Sequence, residues 1–443
     1  MEKLSIYEKP VRMKTMLRFT LPSIILMVFT SLYTVADGIV VSNYVGSLGL
    51  SAINIVYPLI NLVMAVGFML ATGSNAVIAK KLGEGKKEEA HSFMTLVTIV
   101  TIAAISILVS VCMIWDEELY YMLGSDDELL PYCIAYGNIL VPGSIFMAVQ
   151  MLFQTYLVTS DRPKLAMSLT IAGGILNIIL DLVLVGPLEM GVAGAAIASV
   201  AGQFIGATVP FAIFIRKDQI LHFRKPVWKG KEILFSLGNG SSEMVGNLAS
   251  AVITALYNIQ MMQLIGEKGV AAISAILYLI FVFVATSVGF TSGMEPVISY
   301  HYGAKNKGNL HKLFRIGVKG IITSSVVMFV ASFSLAELLS MIFASQDPEL
   351  KELMVVGFRI MSFQFLFSGV CIFASGLFTA LNNGKISALI AFFRTFVFEF
   401  SALLLLPMML GINGVWLALP IAEALSATLS IGLILKYRKV YGY

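Results

Sequence analysis

Two stretches, GSLGLSAINIVYPLINLVMAVGFMLATGSNAVIAKKLG (46–83) and GEKGVAAISAILYLIFVFVATSVGFTSGMEPVISYHYG (266–303), set one above the other, share an offset of 220 residues. Gly46, Gly49, Ala52 and Ile53 fall on Gly266, Gly269, Ala272 and Ile273. Leu59, Ile60, Ala65, Gly73, Val77, Ile78 and Gly83 fall on Leu279, Ile280, Ala285, Gly293, Val297, Ile298 and Gly303 with no gap. The same offset pairs Phe153 with Phe373, Thr159 with Thr379, and Gly191, Gly194 and Ala198 with Gly411, Gly414 and Ala418. Any one match between apolar segments means little, but one register held across a half-chain marks an internal duplication.

Both copies are too apolar for water. Of 443 residues, 58% are apolar or aromatic and 13% charged, against about 25% charged in an ordinary soluble domain. A globule of this size has too few ionisable groups to cover its surface, which excludes a soluble enzyme or a nucleic-acid module. A bilayer core about 30 Å thick takes roughly 20 apolar residues per helix. Twelve apolar runs satisfy that, starting near Met16, Ala52, Ser92, Tyr132, Leu165, Val192, Gly238, Ala272, Ile316, Leu353, Ile386 and Val415. The expected class is an all-α integral membrane protein with twelve transmembrane helices in two pseudo-symmetric six-helix bundles.

Charge placement orients the chain. Lys3, Lys9, Arg12, Lys14 and Arg18, then Lys80 to Lys87, Arg162 and Lys164, the Arg216–Lys231 loop, the Lys305–Lys319 loop, Lys385 and the Lys436–Lys439 tail share one side. The other side holds Lys268 and Lys351, with the acidic run Asp116, Glu117, Glu118, Asp126, Asp127 and Glu128. The positive-inside rule makes the basic side, with both termini, cytoplasmic. Six spans per copy give both bundles the same sense in the membrane, hence a symmetry axis along its normal. The expected division is an N-terminal bundle 1–215, a linker 216–232 and a C-terminal bundle 233–443, the plan of a carrier that exposes a cleft to each side in turn. No cleavage pattern follows the first apolar run, so no removable signal is expected. Cys112, Cys133 and Cys371, far apart and without a CxxC pair, read as packing residues.

The stretch LYTVADGIVVSNYVGSLGLSAINIVYPL (32–59), the loop AKKLGEGKKEEA, the segment ILNIILDLVLVGPLEMGVAGAAIAS and the exit PVISYHYGAKNKG resemble the multidrug and toxic compound extrusion (MATE) transporters. The start of span seven, SLGNGSSEMVGNLAS, is more similar to the MepA-like branch than to the NorM-like one. The resemblance implies a multi-pass cell-membrane antiporter that expels amphipathic organic compounds, often cations, in exchange for Na⁺ or H⁺, with no cofactor, no nucleic-acid partner and a monomer as the expected state.

Carboxylates at membrane depth cost about 2.5–3.5 kcal/mol each on insertion scales and so need a partner or a task. Asp37 and Asp181 lie roughly six and five residues before the outer ends of spans one and five, which places them at similar height. Asn177 shares the helix face of Asp181, and Ser199 of span six returns to the same level. Asp37, Asn177, Asp181 and Ser199 also match the coupling-ion set that the family resemblance implies: a span-one aspartate, an Asn-x-x-x-Asp in span five and a span-six hydroxyl. Two close carboxylates in a low dielectric either share a proton or hold Na⁺ between them. The structural alternative is a hydrogen-bonded tie between spans one and five. At the repeat positions the second bundle has Tyr257 and Ser401, so the ion site is expected in one bundle only.

Cargo contacts are sought among polar residues that would be costly against lipid: Tyr33, Asn61, Gln154 and Glu243, with helix bridging as the alternative role. The 23 methionines suit loosely specified amphipathic ligands but suit lipid-facing helices equally. Arg394 with Glu399 or Glu423 reads as a buried ion pair, and Glu295 as a solvated group near the end of span eight. A lipid-linked saccharide flippase of the same superfamily is the first alternative, disfavoured because Arg359 and Arg394 are the only intramembrane bases. A membrane enzyme lacks HExxH, GxSxG and P-loop motifs. A non-transporting receptor leaves the six-plus-six repeat without a reason. The LGEGKKEEA and YGAKNKGNL loops occupy the same repeat position and read as topogenic turns rather than phosphate cradles.

Overall fold

In the computed structural model, the described residues are 5–34, 44–46, 48–344 and 347–443. The chain runs as α1 (Met13–Gly83), α2 (Lys87–Ile114), α3 (Asp116–Met122), α4 (Leu130–Thr159), α5 (Pro163–Leu184), α6 (Gly191–Phe214), α7 (Gly230–Leu264), α8 (Glu267–Gly303), α9 (Lys307–Ala344), α10 (Pro348–Ser362), α11 (Phe365–Ala380), α12 (Gly384–Phe392), a π-helical turn Phe393–Glu399, α13 (Phe400–Leu410) and α14 (Ile412–Tyr441). Among the described residues, ten helical stretches are long and apolar enough to cross a bilayer, and α10 with α11, bent by 50°, makes an eleventh. α7 carries Ser236, Asn239, Ser242, Glu243 and Asn247, which lower its hydropathy, and it supplies the twelfth helix of the sequence reading.

The repeat is written in the backbone as well as in the side chains. α1 contains two spans that meet at Gly46, where φ is 75° and ψ −178°. Its partner in the repeat, Gly266, caps α8 with φ 88° and ψ −153°. Gly191 and Gly411, also partners, have φ 56° and 55°. A residue with a Cβ is strained in this region, so matched glycines at matched corners are what a duplicated fold requires.

Packing divides the chain into two compact units, 29–240 and 1–28 with 241–443. Each has a core of its own: Ala52, Val56, Val63, Leu140 and Val141 in the first, and Ile276, Phe358, Met361, Leu403 and Trp416 in the second. Close backbone approaches explain the boundary. In the first unit, a Cβ on Gly73 would lie 2.0 Å from the Ser236 carbonyl oxygen, and one on Gly240 would lie 1.9 Å from that of Met69. In the second, a Cβ on Gly289 would lie 2.6 Å from the Ser23 carbonyl oxygen, and one on Gly293 would meet Thr20 at 3.0 Å. Gly73 and Gly293 are repeat partners, as are Gly240 and Thr20. The opening turns of α7 thus pack with the first copy and those of α1 with the second.

Three features depart from the apolar-run reading. α7 and α9 begin earlier than their first apolar residues, because a helix continues beyond the hydrocarbon edge into charged sequence. The acidic connection contains the short helix α3, whose first turn holds Asp116, Glu117 and Glu118, a placement favoured by the helix dipole. Span eleven includes the π-helical turn, which carries Arg394 and Glu399.

Candidate ion and cargo site

The candidate ion site is built on a glycine contact between α5 and α6. A Cβ on Gly173 would lie 2.6 Å from the Gly202 carbonyl oxygen, and the reverse distance is the same. Nothing larger than glycine lets the two backbones come so close. Asn177, one turn after Gly173, then meets Ser199, one turn before Gly202: the Asn177 Nδ2 donates to Ser199 Oγ at 3.4 Å. Asn177 is buried, and its Oδ1 has no hydrogen-bond partner among the described residues. Asp181, one turn further along α5, is 0% exposed.

Span one lies against the same helix. A Cβ on Gly174 would meet Phe29 Cε1 at 2.7 Å and Tyr33 Cγ at 3.5 Å, and the Phe29 and Tyr33 rings stack with centroids 6.3 Å apart. Tyr33, Asn177, Asp181 and Ser199 therefore occupy one neighbourhood of the unit 29–240. Asp37 lies outside the described residues. Gly173, Gly174 and Gly202 went unnoticed in the sequence reading, although their one-turn spacing from Asn177 and Ser199 was the available signal.

The cargo candidates do not gather in one unit. Tyr33, Asn61 and Gln154, all half-buried, belong to 29–240, whereas the half-buried Glu243 belongs to the other unit. In that second unit the Arg394 Nε and Nη2 both donate to Glu423 Oε1, at 2.8 and 2.6 Å. Glu423 is 2% exposed, so the ion pair expected of Arg394 is made with Glu423. Tyr257, the repeat partner of Asp37, is fully buried. Glu295 departs from expectation: it is 8% exposed rather than solvated. Gly376 makes room for it, since a Cβ there would fall 2.7 Å from Glu295 Oε1. Cys112, Cys133 and Cys371 are free thiols in buried positions, as packing residues should be.

A second polar cluster, missed in the sequence reading, ties the ends of α1, α2 and α7 within the unit 29–240. Lys81 is buried, and its Nζ reaches Glu89 at 2.8 Å and Glu232 at 3.1 Å. Lys229 joins the same two carboxylates at 2.8 and 3.3 Å. The Glu89 hydrogen bond, followed by the Glu232 one, holds the Lys229 ammonium above its ordinary range.

Two repeated helical units whose helices are mostly long and apolar enough to cross a bilayer make this a multi-pass membrane protein. The MatE family model matches the chain twice, over residues 22–183 and 244–404. The chain belongs to the MatE family, and the two matches follow the duplication. It is similar to the multidrug export protein MepA of Staphylococcus saprophyticus, 23% identical with 96% of this chain and 94% of that protein covered. The MepA of Staphylococcus haemolyticus is also 23% identical, with 99% and 96% covered. Among solved structures, the fold matches a MATE protein in complex with MaL6 at a TM-score of 0.93 and 20% identity, with 98% of each chain covered. It matches an outward-facing multidrug resistance MATE transporter at 0.92 and 20%, again with 98% of each covered.

Proposed function

We propose that the chain is a secondary active exporter of amphipathic organic compounds, cations by preference, driven by inward exchange of Na⁺ or H⁺. Family membership and the multidrug export named for its relatives support the export half of this reading. The coupling half rests on one observation: Asp181 fully buried beside an Asn177 whose Oδ1 is unpartnered among the described residues, with Ser199 Oγ in contact. A small cation or a proton there would neutralise the carboxylate, and Na⁺ would take its oxygens from Asp181, Asn177 and Ser199, with Asp37 completing the set.

The mutual exclusion of ion and cargo follows from charge. With Asp181 ionised, the site favours a cationic cargo nearby; once an ion enters, that attraction disappears and the cargo leaves. Coupling needs the ion to bind the two states of alternating access with different affinity, and the exclusion is reciprocal. Tyr33 stands one turn from the site and is the candidate to contact both partners. The flippase alternative is weakened because Arg394 is committed to Glu423 and so is not free for a pyrophosphate.

The test is efflux of a fluorescent organic cation from proteoliposomes under a sodium gradient and then a pH gradient, each alone. Accelerated efflux under at least one gradient is expected. Efflux indifferent to both removes the coupled mechanism.

A further inference from the structure

The linker between the two repeats is an ordered platform, held to α4 and α6 through Phe223 and to α2 beyond it. The Phe223 N–H donates to Phe214 O at 2.8 Å, and the Phe223 ring packs on Phe153, Phe211 and Phe214. The Arg224 N–H donates to Thr95 Oγ1 at 3.0 Å, and the Val227 N–H to Ser92 Oγ at 2.9 Å. The His222 and His91 rings meet with centroids 3.9 Å apart and planes tilted by 46°. Arg224 pairs with Glu88, and Lys229 with Glu89 and Glu232.

So fixed, the loop presents two kinds of group to its surroundings. Trp228 is 74% exposed, beside the exposed Val227, and Leu234, one and a half turns on, is 71% exposed. In the same linker and the first turn of α7, Arg216, Lys217, Lys225 and Lys231 are exposed and joined to no carboxylate among the described residues. An exposed indole suits the headgroup level of a bilayer, where its ring is half in hydrocarbon and its N–H can be hydrated. Unpaired cations in the same loop, at the ends of two spans, suit anionic headgroups.

We propose that the linker is a lipid-binding surface, with the Trp228 ring at the headgroup boundary and Arg216, Lys217, Lys225 and Lys231 engaging the phosphates of anionic phospholipids. A water-facing linker or one awaiting a soluble acidic partner would leave this cluster against the aqueous phase instead. The proposal needs only the membrane fold and stands whether or not transport is ion-coupled.

It is tested by bromolipid quenching of tryptophan fluorescence in nanodiscs, taking the Trp228 signal as the difference between the unaltered protein and Trp228→Phe. Trp115 and Trp416 then cancel. Expected are quenching by shallow bromines more than by deep ones, and stronger quenching by brominated phosphatidylglycerol than by brominated phosphatidylcholine at equal mole fraction. In Lys225→Gln, the phosphatidylglycerol fraction giving half the effect should rise about fivefold, the size expected for one cation at an anionic surface. Equal quenching by the two lipids overturns the proposal. So does a signal quenched by aqueous iodide and not by bromolipid. Retained organic-cation efflux in the variants shows that folding is intact.

Discussion

At the scale of single residues, the account turns on Asp181. Asp181→Asn keeps the shape of the side chain but removes its charge and exchanges one acceptor oxygen for an N–H donor, so ion-driven efflux should fall to the leak rate while the protein elutes and melts as before. Normal gradient-driven transport by the variant would assign Asp181 a merely structural role. Glu423→Gln probes a different burden, because it leaves Arg394 without its carboxylate; breaking a buried pair costs about 3–5 kcal/mol, and the thermal midpoint of the detergent-solubilised protein should drop accordingly. The carboxylates could be read from the sequence because charge inside an apolar run is conspicuous. Which of them pair could not: the partner of Arg394 is Glu423, twenty-nine residues away on α14 rather than on its own span, and Glu295 is buried because Gly376, eighty-one residues away, makes room.

Between helices, close approach is what places the ion-site side chains. Gly202→Val would force α6 away from the Gly173 carbonyl, with overpacking of this kind costing about 1–3 kcal/mol. Loss of the Asn177–Ser199 contact should then abolish coupling even though every proposed ion ligand is intact, which parallel efflux and thermal-shift assays would show. α10 offers a pH test. Asp347 caps it, accepting from the Leu350 N–H at 3.1 Å, with Lys268 Nζ at 3.2 Å. The Leu350 hydrogen bond and then the Lys268 one hold the Asp347 carboxyl below its ordinary value. A depressed folded-state pKa gives stability that is present above the unfolded value and lost as pH falls through the folded one. Hydrogen exchange at the first turn of α10 should therefore quicken, beyond the intrinsic pH effect, only in the acid range, and Asp347→Asn should lose this acid dependence.

For the whole molecule, the duplication was legible because glycine and small-residue positions recur at one offset, and those positions became matched backbone corners. What the offset could not show is that the opening turns of α1 and α7 pack with the opposite copy, since an apolar helix reads the same whichever neighbour it meets. The central claim is that one buried carboxylate site binds the ion that cargo must displace, and its most direct measurement is ion binding itself. Purified protein is titrated with Na⁺ by calorimetry, and its proton release on adding an organic cation is followed in weak buffer, for the unaltered chain and for Asp181→Asn. The account predicts saturable Na⁺ binding competed by cargo, or stoichiometric proton release on adding cargo, with either signal absent in the variant; an undiminished signal in Asp181→Asn would contradict it.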